Sequence, residues 1–93
     1  MSDEKETQAY INAFGYVKRS KNRQEIIKII ATTRKTPSDI TEIMDTRFSL
    51  VSSILSDLKN NGIVVCLNEE DKTGRLYKLT DLGVRIFEEL NQE

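Results

Sequence analysis

The stretch Lys35–Gly62, KTPSDITEIMDTRFSLVSSILSDLKNNG, decides how the rest of the chain is read. It describes two helices and a tight turn, the second helix ending at a glycine. Thr36 can cap the first helix, with Pro37 at the first helical position, where a missing N–H costs nothing. Asp39 follows three residues after the cap, where a carboxylate suits the positive helix N-terminus. Ile40, Ile43 and Met44 recur at helical spacing and predict one apolar face. Asp45, Thr46 and Arg47 interrupt that pattern. Val51, Ile54, Leu55 and Leu58 then restart it at i, i+3, i+4, i+7, and Gly62 can adopt the left-handed conformation that stops a helix. Two short amphipathic helices on a short turn are the sequence form of a helix-turn-helix. Neither can bury its face alone, so the flanking segments must complete the core.

Length and composition bound what those flanks can be. The chain has 93 residues, enough for one domain of modest core, a size at which dimerisation helps burial. No apolar run approaches the roughly 20 residues of a membrane span, and the polar start MSDEKET argues against a signal peptide. The single cysteine, Cys66, excludes an intrachain disulfide and fits a reducing, cytoplasmic setting. With no histidine and one cysteine, the commonest general base and the usual zinc patterns are missing. Neither an acid/base pair at a suggestive spacing nor a Gly-rich phosphate loop occurs, so no catalytic site, metal site or cofactor is expected. The formal net charge of −1 hides a division: residues 7–87 carry 13 Lys/Arg against 9 Asp/Glu, while both ends are acidic. A mildly basic body is compatible with nucleic acid without demanding it.

Before the central stretch, residues 1–6 are charged and expected to fray. From about Thr7 to Arg19, the apolar residues Tyr10, Ile11, Phe14 and Val17 predict a helical stripe, weakened at Gly15. That stripe packs either on its own domain or on a second subunit. Asn22 with Glu25 has the capping-box arrangement, and Ser20 offers a cap one turn earlier. Ile26, Ile27, Ile29, Ile30 and Ala31 are too dense for a one-sided surface helix and predict the central core helix. After Gly62, Ile63–Leu67 and Arg75–Leu79 read as two strands of a β-hairpin with a loop of about seven residues between them. Thr80 or Asp81 then caps a last helix carrying Leu82, Val84, Ile86, Phe87 and Leu90.

From Tyr16 to Leu90 the chain resembles the small winged-helix regulators of prokaryotes, especially archaeal members of the MarR/ArsR-like group. The residues that carry the resemblance are SKNRQEIIKII (20–30), TPSDI (36–40), LSDLKNNGIV (55–64) and RLYKLTDLG (75–83). It implies a mainly α fold with a small β-hairpin: a winged helix-turn-helix with an extra N-terminal helix and a C-terminal helix. The whole chain, 1–93, is then one domain, with a 1–19 extension, a 20–79 winged-helix core and an 80–93 C-terminal helix. Such proteins are typically cytoplasmic homodimers that bind double-stranded operator DNA and regulate transcription.

The resemblance makes the helix at about residues 48–61 the recognition helix and the hairpin at residues 63–79 the wing. With Val51, Ile54, Leu55 and Leu58 inward, Ser49, Ser52, Ser53, Ser56 and Lys59 are left outward. Serine hydroxyls can bond phosphates or base edges, though they discriminate poorly. Arg47, at the helix head, suits a bidentate contact to guanine or a phosphate clamp. Phe48 and Leu50 cannot both enter one core stripe. Phe48 is expected to close the turn, the alternative being exposure toward a thymine methyl or a protein. Lys72 and Arg75 sit in the hairpin loop as candidate backbone contacts, but Glu69, Glu70 and Asp71 share that loop and would repel phosphates. Lys21 and Arg23, with Lys18 and Arg19, form the densest basic cluster and are a flanking candidate. Tyr10, Phe14, Val17, Phe87 and Leu90 are the candidate dimer interface. The competing reading is a winged helix used for protein–protein contact in a transcription or replication assembly, which the serine-rich face and acidic wing would suit.

Overall fold

The computed structural model describes residues 2–93, with side chains from residue 6 onward. Five helices and one hairpin follow in the order α1 (Ser2–Lys18), α2 (Lys21–Ile30), α3 (Pro37–Met44), α4 (Phe48–Asn60), β1 (Val64–Cys66), β2 (Tyr77–Leu79) and α5 (Asp81–Asn91). This is the mainly helical winged helix-turn-helix, with an extra N-terminal helix and a C-terminal helix, that the resemblance implies. No helix among the described residues is long and apolar enough to cross a membrane.

The caps show why these segments form. Thr36 accepts from the Asp39 amide at 3.0 Å while the Asp39 carboxylate accepts from the Thr36 amide at 3.2 Å, a complete capping box ahead of Pro37. Ser20, rather than Asn22, caps α2 by accepting from the Arg23 amide. α4 ends in a Schellman motif: the Ile63 amide donates to the Leu58 carbonyl and the Gly62 amide to that of Lys59, with Gly62 at φ +72°. Thr80 caps α5 through the Gly83 amide, and its hydroxyl donates to the Gly62 carbonyl at 2.6 Å. One side chain thereby ties the end of α4 to the start of α5.

The core takes residues from every element: Val17 of α1, Ile26, Ile27 and Ile30 of α2, Ile40 of α3, Val51, Leu55 and Leu58 of α4, Val64 and Leu79 of the hairpin, and Ile86 and Leu90 of α5. Burying each such aliphatic side chain is worth roughly 1.5–3 kcal/mol, so a short helix with one or two of them depends on its neighbours. In the antiparallel hairpin, Val64 pairs with Leu79, Val65 with Lys78 and Cys66 with Tyr77. Lys35 adds a one-residue third strand, exchanging both backbone hydrogen bonds with Tyr77 at 2.8 and 3.0 Å. That bridge holds the entrance of α3 against the wing.

The structure corrects several expectations. α1 begins at Ser2 rather than near Thr7, so helix continues through residues expected to fray. Glu6 lies near its start, where negative charge favours a helix; Met1 and the side chains of 1–5 lie outside the described residues. The strands are three residues each, which lengthens the wing loop to residues 67–76. Ile11 is 54% exposed and Ile43 57% exposed. Each lies off the buried arc of its helix, since Tyr10, Ala13, Phe14 and Val17 define the inner face of α1 and Ile40 with Met44 that of α3.

Candidate nucleic-acid interface

α4 turns Val51, Leu55 and Leu58 into the core and leaves Ser49, Ser52, Ser53 and Ser56 exposed, as the heptad-like spacing predicts. Arg47 is its N-cap residue, exposed and making no side-chain cap bond, so its guanidinium remains available. The preceding turn is closed by Asp45 in the left-handed conformation (φ 53°, ψ 53°), a geometry that Asp tolerates better than most residues. Phe48 does not close that turn. It is 53% exposed and turned toward the wing.

A shallow trough of about 280 Å³ lies between the N-terminus of α3, the first turns of α4 and the wing loop. It is lined by Thr36, Pro37 and Ser38 from the start of α3, Phe48 and Ser52 from α4, and Lys72, Thr73, Gly74, Arg75 and Tyr77 from the wing. No carboxylate lines it. Glu69, Glu70 and Asp71 instead line a separate depression with Cys66, Leu67 and Asn68. The acidic residues that counted against the wing thus line that depression rather than the trough.

Hydrogen bonds within the loop hold this division. The Asn68 carboxamide oxygen accepts from the Leu76 amide at 2.7 Å, and its nitrogen donates to Asp71 and to the Gly74 carbonyl. Arg75 donates from Nε to the Asp71 carbonyl at 2.7 Å and from Nη2 to the Glu69 carbonyl at 3.3 Å. Its guanidinium thus braces the loop, while Lys72 stays exposed. Glu69 is ion-paired with Lys59 near the end of α4. Their mutual hydrogen bond is the main reason that the Lys59 pKa lies above its ordinary value and the Glu69 pKa below. The pair takes Lys59 out of the set of unpaired cations on α4.

The basic cluster before α2 does not join the trough. Arg23 donates to the Tyr16 carbonyl at 2.7 Å and stacks its guanidinium 3.7 Å from the centre of the Tyr16 ring, so it locks α1 onto α2. Lys18 pairs with Glu93. Lys21 is exposed beside Glu25 and Lys28 on a different depression. The expected dimer surface also changes. Val17 is fully buried and Leu90 is 3% exposed, both inside the chain's own core, so neither has surface to offer a second copy. Tyr10, Phe14 and Phe87 are half-buried against that core, and Ile11 is the apolar side chain that α1 turns outward.

Sequence reading missed one part of the trough and held the exposure of Phe48 only as the alternative to its closing the turn. The Thr36–Ser38 wall depends on the Lys35–Tyr77 bridge, a one-residue pairing with no periodic signal. Phe48 did leave a signal, since it competes with Leu50 for a single stripe. Among the described residues, no three His, Cys, Asp or Glu side chains converge as a metal site.

Comparison with solved structures agrees on the fold. The chain superimposes on HlyU from Vibrio cholerae with a TM-score of 0.76 at 14% identity, covering 99% of this chain and 96% of that one. For Mb0332 from Mycobacterium bovis the values are 0.75 and 16%, covering 99% and 84%; that fragment is a homodimeric winged helix-turn-helix DNA-binding domain of a possible ArsR-family transcriptional regulator. For MarR from Escherichia coli they are 0.72 and 23%, covering 97% and 68%. Against some other matched structures the chain spans only about half (51%) of the other chain's length. No curated protein matches it in sequence. The family model described as winged helix-turn-helix matches residues 18–93, and the chain belongs to that family.

Proposed function

We propose that this protein is a transcriptional regulator that binds duplex DNA as a homodimer. The observation that carries the reading is the carboxylate-free trough between α3, α4 and the wing, walled by hydroxyls with Lys72 and Arg75 on one side. α4 enters the major groove, where the exposed Ser49, Ser52, Ser53 and Ser56 face base edges and phosphates. Arg47, uncommitted at the helix head, and Lys72, exposed on the wing, supply charge-assisted phosphate contacts. Arg75 acts from behind as the brace that shapes the loop. Lys21 is at most a peripheral contact, and Arg23 is committed to Tyr16.

Dimerisation follows the helices outside the helix-turn-helix. α1 and α5 pack together, and the outward side chain Ile11 gives α1 an exposed apolar ridge for a second copy. A two-fold dimer would read half-sites about one DNA turn apart.

The experiment is fluorescence anisotropy with a labelled random duplex, titrated with salt. The reading expects affinity to fall linearly on a log–log plot as salt rises, and Arg47→Ala and Lys72→Ala each to reduce the slope by about 1. Absence of binding even at low salt would remove the DNA reading.

A further inference from the structure

We infer that Phe48 is a specificity residue that reads the methyl group of thymine, so that the preferred half-site carries a thymine beneath the head of α4. The inference rests on the DNA reading above and adds what that surface selects for.

The argument starts from what α4 lacks. Discrimination between base pairs in the major groove comes mainly from bidentate donors and acceptors: Arg or Lys to guanine, Asn or Gln to adenine, carboxylates to cytosine. From Phe48 to Ser56 this helix presents none of these outward, only four serine hydroxyls. A hydroxyl can bond either partner of a pair, so the serines hold register without selecting much. With Arg47 at the helix head assigned to phosphate, specificity must then come from another kind of contact or be weak.

Phe48 supplies the contact. It occupies the first turn of α4, the part of a recognition helix that approaches base edges, and is 53% exposed. That ring lines the trough and offers it an apolar surface half in water. Around it lie the hydroxyl-bearing Thr36, Ser38 and Ser52, with Lys72 on the wing wall, so the ring is an apolar spot framed by phosphate-compatible groups. That combination is complementary to one major-groove feature, the thymine C5 methyl, the only apolar group that the groove displays. A peptide partner of similar apolarity would meet the same ring without needing the cationic rim.

The test separates this inference from the reading on which it rests. A random duplex pool is enriched on the full-length protein, and the selected duplex is remade with deoxyuridine replacing each thymidine in turn, which deletes one methyl group. Affinities are measured for the native protein, Phe48→Ala and Phe48→Leu, with circular dichroism as the check on folding. At one thymine per half-site, methyl deletion is expected to weaken native binding roughly fourfold, the transfer value of one buried methyl. The same deletion should have no effect on Phe48→Ala and keep much of its effect on Phe48→Leu. Duplex binding with no methyl dependence, or with one that persists unchanged in Phe48→Ala, would overturn the inference and leave the DNA reading standing. Failure to enrich any duplex would overturn both.

Discussion

At the residue scale, two small side chains set the backbone limits of the domain. Gly83 lies where the start of α5 crosses the end of α4, and a Cβ there would press into the Ile63 carbonyl oxygen and meet Leu79 Cβ at 3.1 Å. The Ile63 carbonyl is already used, accepting from the Thr80 amide at 3.0 Å, so it cannot move aside freely. Gly83→Ala should therefore destabilise the domain by about 1–3 kcal/mol, the usual range for overpacking, visible as a lowered midpoint of urea unfolding. Ala31 is the opposite case. At φ 49°, ψ −127° it occupies the first central position of a turn closed by the Thr33 amide on the Ile30 carbonyl at 2.9 Å. That is the glycine position of a type II′ turn, and an alanine there stores strain. Ala31→Gly should relieve it and raise stability by about 1 kcal/mol, or roughly 4–8 °C in Tm for a domain of this size, after the entropic cost of glycine is deducted. An unchanged or lower Tm would mean that Ala31 carries no strain.

At the element scale, the parts of the fold that were legible in sequence share one property: a cause local to the element. Thr36-Pro37-Ser38-Asp39 contains its whole capping box, Val51/Leu55/Leu58 carry their own periodicity, and Gly62 marks its own positive φ. What was not legible depends on partners distant in the chain. The bridge from Lys35 to Tyr77 spans the entire helix-turn-helix, and the exposure of Ile11 and Ile43 is decided by which arc the neighbouring helices cover. The same holds for the candidate site. Ser49, Ser52, Ser53 and Ser56 could be assigned to the outer face from spacing alone, whereas the separation of Glu69, Glu70 and Asp71 from Lys72 depends on the Asn68 and Arg75 hydrogen bonds. The wing yields its own prediction. Glu69→Gln removes one carboxylate and frees Lys59, so duplex affinity should rise and the log–log salt slope steepen by about 1 if Lys59 then reaches a phosphate. In the native protein the pair's small, solvent-screened contribution is present above the ordinary Glu pKa and lost as pH falls through the lowered one. Tyr10, on α1, has the reverse sign. Burial first, then the Glu89 charge, raise its pKa against the opposing pull of Arg85, whose guanidinium lies 4.0 Å from the ring centre. Any stability it adds is intact below pH 10 and lost as pH rises through the folded value, so Tyr10→Phe should flatten the alkaline limb of a stability–pH curve.

At the scale of the whole molecule, the proposed function requires a chain of net charge −1 to hold a polyanion. Segregation provides an answer: Glu69, Glu70 and Asp71 line a depression other than the trough, while Lys72 on the trough and Arg47 at the head of α4 are exposed. Two such cations per protomer are a weak anchor. With those two, one protomer neutralises roughly two phosphates, a log–log salt slope of only about −2. A dimer doubles that number without any new contact and adds the gain in effective concentration from the second half-site. Binding and dimerisation should therefore be coupled, and one substitution tests both. Ile11→Glu puts a charge on the exposed apolar ridge of α1 and touches neither the core nor the trough. Sedimentation velocity should show a monomer with unchanged helical content, and the salt slope of duplex binding should fall to about half its native value. If the variant stays dimeric, the ridge at Ile11 is not the interface. If it becomes monomeric while the slope stays whole, one protomer already makes every phosphate contact, and the two-half-site arrangement is wrong.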